Sequence, residues 1–427
     1  MKNIIDGKQT NDAFHTVQGP FSTYPITLNV SRVDETTLRK LDRKVSIPSL
    51  DERLAILKSY QNYKPEPEIV DSYIAITGKP FSWLLDRLEQ SKLMVQRFLQ
   101  HDFEDTIGSS TFIALPPNDP REIPYAIMHA MAAGSRLILK GSSREPVLLQ
   151  SIFNHLNQDG LFGSFVDLIY GDSTQDSHYL AQAARLTEKK VIMGDAELAD
   201  SIRFHAERTR ALVTDPEIAL EHLVDSLQTP DSCLSVRTIV VLQKHYQQLM
   251  FGLGGIYGNL VQGTLEDPKT TLSLIPKPVR KEAAEKLLYG QATDTIDILY
   301  PHRDMMQPIQ MENTEKGVIV QAFSGDPSID PSPLLWGKVP EAYITVVLPV
   351  PSINVGILQL ERMRKTMDSR SNGLHSKSMV LGIYGELPPG LENLAYHVAH
   401  NQPTTEVGDG RFHQGIDLCA ELGGKYK

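Results

Sequence analysis

The chain has 427 residues, 41% hydrophobic and 22% charged, the proportions of an ordinary globular protein with apolar material for two or three domains. A net charge of −10 argues against a nucleic-acid partner, and no apolar stretch reaches the roughly 18 residues of a membrane span. Two cysteines, Cys233 and Cys419, argue against a disulfide framework and a thiolate zinc site.

The first residues, MKNIIDGKQTNDAF, lack the apolar core of a secretory signal, so a cytoplasmic location is expected. Residues 1–62 are poorly periodic, with a strand expected at Tyr24–Val30 and a helix at Leu50–Gln61. The prolines of Tyr63–Glu68 mark a linker, and a helical run follows from Ile69 to Gln100, interrupted at Gly78–Pro80. Strands and helices then alternate. Strands are expected at Ser110–Leu115, Arg136–Lys140, Phe165–Tyr170, Lys190–Met193 and Arg210–Val213. Helices are expected at Pro124–Ala133, closed by Gly134, and at Pro146–Asn157, Ser177–Leu186, Ala196–His205 and Glu217–Leu227. Such alternation means βαβ units and a parallel doubly wound sheet. After Thr229-Pro230 a second α/β portion is expected: a strand at Val236–Leu242, a helix from Tyr246, and strands near Gly317–Ala322, Ala342–Leu348 and Met379–Tyr384. The domains are therefore expected at 1–62 (an N-terminal segment), 63–229 (a Rossmann-like cofactor domain), 230–390 (a second α/β domain) and 391–427 (a tail packed on the cofactor domain or a neighbour).

Four places carry residues suited to chemistry. Cys233, in TPDSCLSVRTIVV, follows a Pro-Asp-Ser turn and precedes a strand, so its thiol is expected on a loop held by a sheet, where nucleophiles are found; a buried core cysteine is the alternative. Asn118, in LPPNDP, is a side-chain amide at the carboxyl end of a parallel strand, able to donate to a developing oxyanion or simply to form a turn. Lys140 follows 22 residues later, one βα unit on, with Ser142 and Ser143 beside it. A cation with hydroxyls and backbone N–H groups suits a ribose and its phosphate, the alternative being a solvated lysine. Gly194, in VIMGDAELADSIR, sits at a strand-to-helix junction where a pyrophosphate meets a helix N-terminus.

Other features are weaker. FGLGGIYG, Phe251–Gly258, follows a helical run rather than a strand, so it fails the dinucleotide fingerprint. The 13 histidines include no HxxxH or HExxH arrangement and no metal site is expected; His245 and His375 stand as possible acid–base groups.

The order of these parts resembles the aldehyde dehydrogenase superfamily. Within it, ITGKPFSWLLDRLEQSKLMVQRFL, VIMGDAELADSIR, TPDSCLSVRTIVV, PEAYITVVLPVPSINVGILQLERM and SNGLHSKSMVLGIYG are similar to stretches of the LuxC-like acyl-CoA reductases, the fatty-acid reductases of bacterial bioluminescence, over about residues 65–390. ELGGK, Glu421–Lys425, is identical to the general-base stretch of aldehyde dehydrogenases but lies after the cysteine instead of before it, and is taken as coincidence. The resemblance implies an α/β, aldehyde dehydrogenase-like fold with a Rossmann-like cofactor domain and a second, catalytic α/β domain. It implies an oxidoreductase in which Cys233 accepts the acyl group, Asn118 donates to the oxyanion, and Lys140, Ser142, Ser143 and Gly194 hold NADPH. The glutamine expected just before the cysteine is absent, and no glutamate is seen at the general-base position ahead of Cys233. Without that base, reduction of an acyl-CoA or acyl-carrier thioester to an aldehyde is expected. An acyl-transferring partner protein and a homo-oligomer are further implications. An acyl-phosphate reductase of the glutamyl-phosphate reductase type and a non-catalytic relative that binds a partner stay open.

Overall fold

The computed structural model describes residues 1–10, 13–117, 119–172, 175–193, 202–204, 209–229, 235–292, 296–300, 318–322, 343–370, 380–391, 394–395, 397–405, 412–413 and 416–427. The chain divides into two compact units, Met1–Phe204 with Val407–Lys427, and His205–Glu406.

The strands of the first unit's main sheet are β1 (Ile4–Ile5) and β2 (Lys8–Gln9), then, after the separate hairpin of β3 (Phe14–Gln18) and β4 (Thr27–Ser31), β5 (Thr111–Ala114), β6 (Leu137–Lys140), β7 (Val166–Ile169), β8 (Lys189–Met193) and β9 (Ile202–Phe204). Their order across the sheet is β2-β1-β7-β6-β5-β8-β9, with β7 through β9 parallel and β1 and β2 forming an antiparallel edge. Parallel strands are covered on both faces, which is why FIA and LIL read as unbroken apolar runs, while Asp167 in VDLI is buried against Arg43. The helix Glu122–Ala133 is buried along its whole length, because the helices Leu50–Ser59, Phe81–Phe98 and Leu418–Glu421 all pack against it. Gly134, at φ +69°, ends it; a Cβ there would lie 2.0 Å from the Thr106 carbonyl and 2.2 Å from the Arg53 guanidinium.

The second unit carries β10 (Arg210–Val213), β11 (Thr238–Leu242), β12 (Ile296–Tyr300), β13 (Val318–Ala322), β14 (Ile344–Val350), β15 (Val380–Tyr384) and β16 (His397–His400). The order is β12-β13-β14-β11-β10-β15-β16, parallel except for the β12–β13 pair. Its core is one apolar cluster built on Leu212, Val240, Val347, Leu360 and Ile383.

Three expectations need correction. Arg210–Val213 is not the fifth strand of the first sheet; it lies at the centre of the second, between Thr238–Leu242 and Val380–Tyr384. An apolar run of four residues fits the middle of either sheet, and one of its partners comes about 170 residues later. The compact units accordingly meet at 204/205, not at 229/230. Tyr63–Glu68 separates no domains: Tyr63 is buried and stacked on Tyr60, and Pro67 opens the helix Pro67–Thr77 at its first turn. Finally, within the expected helix Ala196–His205, residues 202–204 form strand β9, while 196–201 and 205 lie outside the described residues. The C-terminal stretch divides in turn: β16 joins the second sheet, and Leu418–Lys427 packs on the first unit, where Leu422 O accepts from Ser109 N and Lys425 O from Glu104 N.

Candidate functional site

In the first sheet the chain runs β5-β6-β7 in one direction and β8-β9 in the other, so β5 and β8 flank a topological switch point. Doubly wound sheets bind ligands outside the carboxyl ends of their strands at that place. The carboxyl ends here are Ala114, Lys140 and Met193. Asn118 and Gly194 follow two of those ends but lie outside the described residues, as do Cys233 and His375.

Lys140 is the last residue of β6, and its carbonyl accepts from Leu115 N at 3.0 Å, tying the β5 and β6 ends together. Its ammonium is pushed down to about 8 by burial, against the pull of Asp172 and Asp176. Those two acids are themselves organised. Asp176 is fully buried, takes Arg32 Nη2 at 2.5 Å and Nε at 2.9 Å, and accepts from Asp172 N at 3.0 Å. The turn after Lys140 is equally ordered. Gly141 is required where it stands, because a Cβ would meet the Tyr170 ring at 2.5 Å. Ser142 Oγ accepts from Arg144 N at 3.1 Å and Glu145 N at 3.4 Å, which leaves its own O–H free to donate. Ser143 is half-buried and Arg144 exposed. A half-buried ammonium, two hydroxyls and an exposed guanidinium on one turn are the donor set that a ribose phosphate needs.

Two arrangements escaped the sequence reading. The first is Glu145, which is buried and whose Oε1 accepts from Val147 N and Leu148 N, both at 2.9 Å, at the start of the helix Val147–Leu156. Burial pushes its carboxyl up to about 7 despite those two donors. An acidic residue just before a proline at a helix start was the available signal. The second flanks Asn118: buried Asp119 and Arg121 form an ion pair, with Arg121 N and Nε donating to Oδ1 at 3.0 Å each, and Nε and Nη2 donating to Oδ2 at 3.1 and 2.6 Å. Gln90 Oε1 accepts from Arg121 Nη1 and from Arg87 Nη1, each at 2.8 Å, which ties this turn to the helix Phe81–Phe98.

The remaining sequence candidates are placed as follows. Phe251–Gly258 lies inside the helix Tyr246–Gly258 and forms no phosphate loop. Glu421 is exposed at the end of the helix Leu418–Glu421, and Gly424 packs so closely on Cys419 and Ala133 that ELGGK here is a packing element. His245 is half-exposed in the single turn Gln243–His245 that follows β11. Among the described residues no group of three or more His, Cys, Asp or Glu side chains is placed to hold a metal ion, and no helix is long and apolar enough to cross a membrane.

The chain has the aldehyde dehydrogenase fold over its full length, a parallel arrangement β7-β6-β5-β8-β9 in the first unit and a second, largely parallel sheet in the other. The NADP-dependent glyceraldehyde-3-phosphate dehydrogenase of Bacillus halodurans C-125, solved with NADP, matches at TM-score 0.78 and 12% identity, over 100% of this chain and 98% of that one. Betaine aldehyde dehydrogenase of Staphylococcus aureus, solved as a point mutant with NAD+, matches at 0.74 and 12%, over 100% and 96%. Aldehyde dehydrogenase 21 of Physcomitrella patens, in complex with the reaction product succinate, matches at 0.76 and 11%, over 100% and 97%. No family model and no curated protein matches the sequence.

Proposed function

We propose that the protein reduces an acyl thioester, carried on coenzyme A or an acyl-carrier protein, to an aldehyde, with Cys233 as nucleophile and NADPH as reductant. The observation that carries this reading is the turn Lys140–Arg144 at the switch-point edge of an aldehyde dehydrogenase fold, whose cation and hydroxyls fit a 2′-phosphorylated ribose. NADPH, when bound, supplies a hydride. Lys140, Ser142 and Ser143 would hold its ribose end, with Gly194 on the side of the pyrophosphate.

The Cys233 thiolate attacks the thioester carbonyl, the C–S bond to the carrier breaks, and the carrier leaves as a thiolate. Asn118 donates its amide N–H to the oxyanion of each tetrahedral species. After hydride addition the oxyanion re-forms the carbonyl, the bond to Cys233 Sγ breaks, and the aldehyde departs with the thiolate restored. No water enters this cycle, which accords with the lack of a glutamate at the general-base position ahead of Cys233.

Incubation with a panel of thioesters and acyl phosphates, without cofactor, followed by mass spectrometry, tests the reading. A mass increase equal to the acyl group is expected with thioesters and is lost in Cys233→Ala. Acylation that persists in Cys233→Ala, or maps to Cys419, refutes it, and acylation by acyl phosphates alone makes the protein an acyl-phosphate reductase.

A further inference from the structure

Glu145 directly follows the turn Lys140–Arg144 assigned above to the ribose phosphate, yet no step of the reaction uses it. Its carboxylate accepts from Val147 N and Leu148 N, so the N-terminus of the helix Val147–Leu156 is already satisfied by an anion of the chain itself. A phosphate on this turn cannot take those backbone donors, and relies on Lys140, the Ser142 and Ser143 hydroxyls and Arg144. It also arrives beside a buried carboxylate with which no cation of the described residues pairs. The other groups facing Glu145 do not offset its charge. Tyr170, at the end of β7, and Tyr63, ahead of the helix Pro67–Thr77, are phenols that burial holds far above their usual range, and the charge of Glu66 adds to this at Tyr63. Their hydroxyls are committed elsewhere, Tyr170 to the Pro146 carbonyl at 3.0 Å and Tyr63 to Ser151 at 3.0 Å.

We propose that Glu145 is a specificity-determining residue that takes up a proton when a 2′-phosphorylated dinucleotide binds, so that the preference for NADPH over NADH falls as pH rises. This rests on the NADPH reading of the Lys140 turn. The sign follows from linkage. Bringing the phosphate dianion to the turn disfavours the ionised carboxylate, so binding raises the Glu145 carboxyl above its free value; by reciprocity, deprotonation weakens NADPH binding and leaves NADH binding unchanged. With the free carboxyl at about 7, the effect falls between pH 6 and pH 8. Two other groups titrate nearby. Lys140, at about 8, also loses NADPH affinity as pH rises; the 2′-phosphate, with a second ionisation near pH 6, gains it. Lys140→Arg removes the first of these, because a guanidinium does not deprotonate in this range.

The experiment measures dissociation constants of NADPH and NADH at pH 6, 7 and 8 for Lys140→Arg and for Lys140→Arg with Glu145→Gln. A one-unit rise on binding makes the affinity ratio, from pH 6 to pH 8, fall roughly fivefold further in the first protein than in the second, where the 2′-phosphate alone titrates. Calorimetry of the wild-type protein at pH 7, in two buffers of different ionisation enthalpy, should show roughly 0.4 proton taken up with NADPH beyond that taken up with NADH. That measurement stays decisive if the double variant fails to fold. A ratio that declines equally with and without Glu145, or no excess proton uptake in wild type, overturns the proposal while leaving the cofactor assignment standing. Absence of NADPH binding to the wild-type protein overturns both.

Discussion

Replacing Asp119 by alanine removes the carboxylate that is bound to Arg121 while leaving the guanidinium in place. Both side chains are almost fully withdrawn from water, at 6% and 3% exposure, so solvent cannot take over the lost contacts. Breaking a buried pair by deleting one partner costs about 3–5 kcal/mol. The bond from Arg121 Nη1 to Gln90 survives, which puts the expected loss near the lower end, about 3 kcal/mol. At a urea m-value of about 1–3 kcal/mol/M, that moves the unfolding midpoint of the first unit down by about 1 M or more. Arg121→Met added to Asp119→Ala should recover most of the loss, because an apolar pair of similar volume does not pay desolvation of a charge. The pH dependence is a second check. Burial alone raises the Asp119 carboxyl, but Arg121, through its charge and its hydrogen bonds, and Arg87 hold it well below the usual carboxylate range. A depressed carboxyl stabilises the fold fully above its unfolded value, near 3.9, and the contribution is lost only as pH falls further toward the folded value. The gap between wild type and Asp119→Ala should therefore stay constant from pH 5 to pH 8. Urea titration followed by circular dichroism measures both effects. A loss under about 1 kcal/mol at pH 7, or a double variant no more stable than the single one, refutes the argument.

Lys140→Ala should weaken NADPH binding about tenfold or more, the worth of one charge-assisted contact, and leave NADH binding little changed; equal losses for both cofactors in a titration would contradict its assignment to the 2′-phosphate. In the wild-type protein that contact should fade as pH rises through about 8, where the free Lys140 ammonium gives up its proton. Supplied with aldehyde and NADP, the protein should release little free acid unless coenzyme A is present to accept the acyl group, because base catalysis of acyl hydrolysis is worth about 10²–10⁴ in rate. Rapid acid formation without any thiol, measured by titration at constant pH, would reveal a base the sequence does not display.

The βα units of the first sheet were legible in the sequence because their signals are local. Ser110–Leu115 and Arg136–Lys140 are apolar runs closed by Pro or Gly, and Gly134 and Gly78 sit where a left-handed backbone ends a helix, at φ +69° and +67°. The edge residues of that sheet followed from the same periodicity: once β5 and β6 were seen as parallel neighbours, Lys140 had to stand at the carboxyl end of its strand. Strand partnership was not local. Arg210–Val213 reads as a buried strand in any parallel sheet, and its place beside Val380–Tyr384 is decided by which apolar faces pack around Leu212 and Ile383. The same holds for the charges that shape the site. Arg32 meets Asp176 across 144 residues and Arg121 meets Gln90 across 31, distances over which no spacing rule operates. Glu145 lay only five positions beyond Lys140, yet its raised carboxyl depends on burial in the folded chain. Desolvation is a property of the packed interior, and a one-dimensional pattern carries no measure of it.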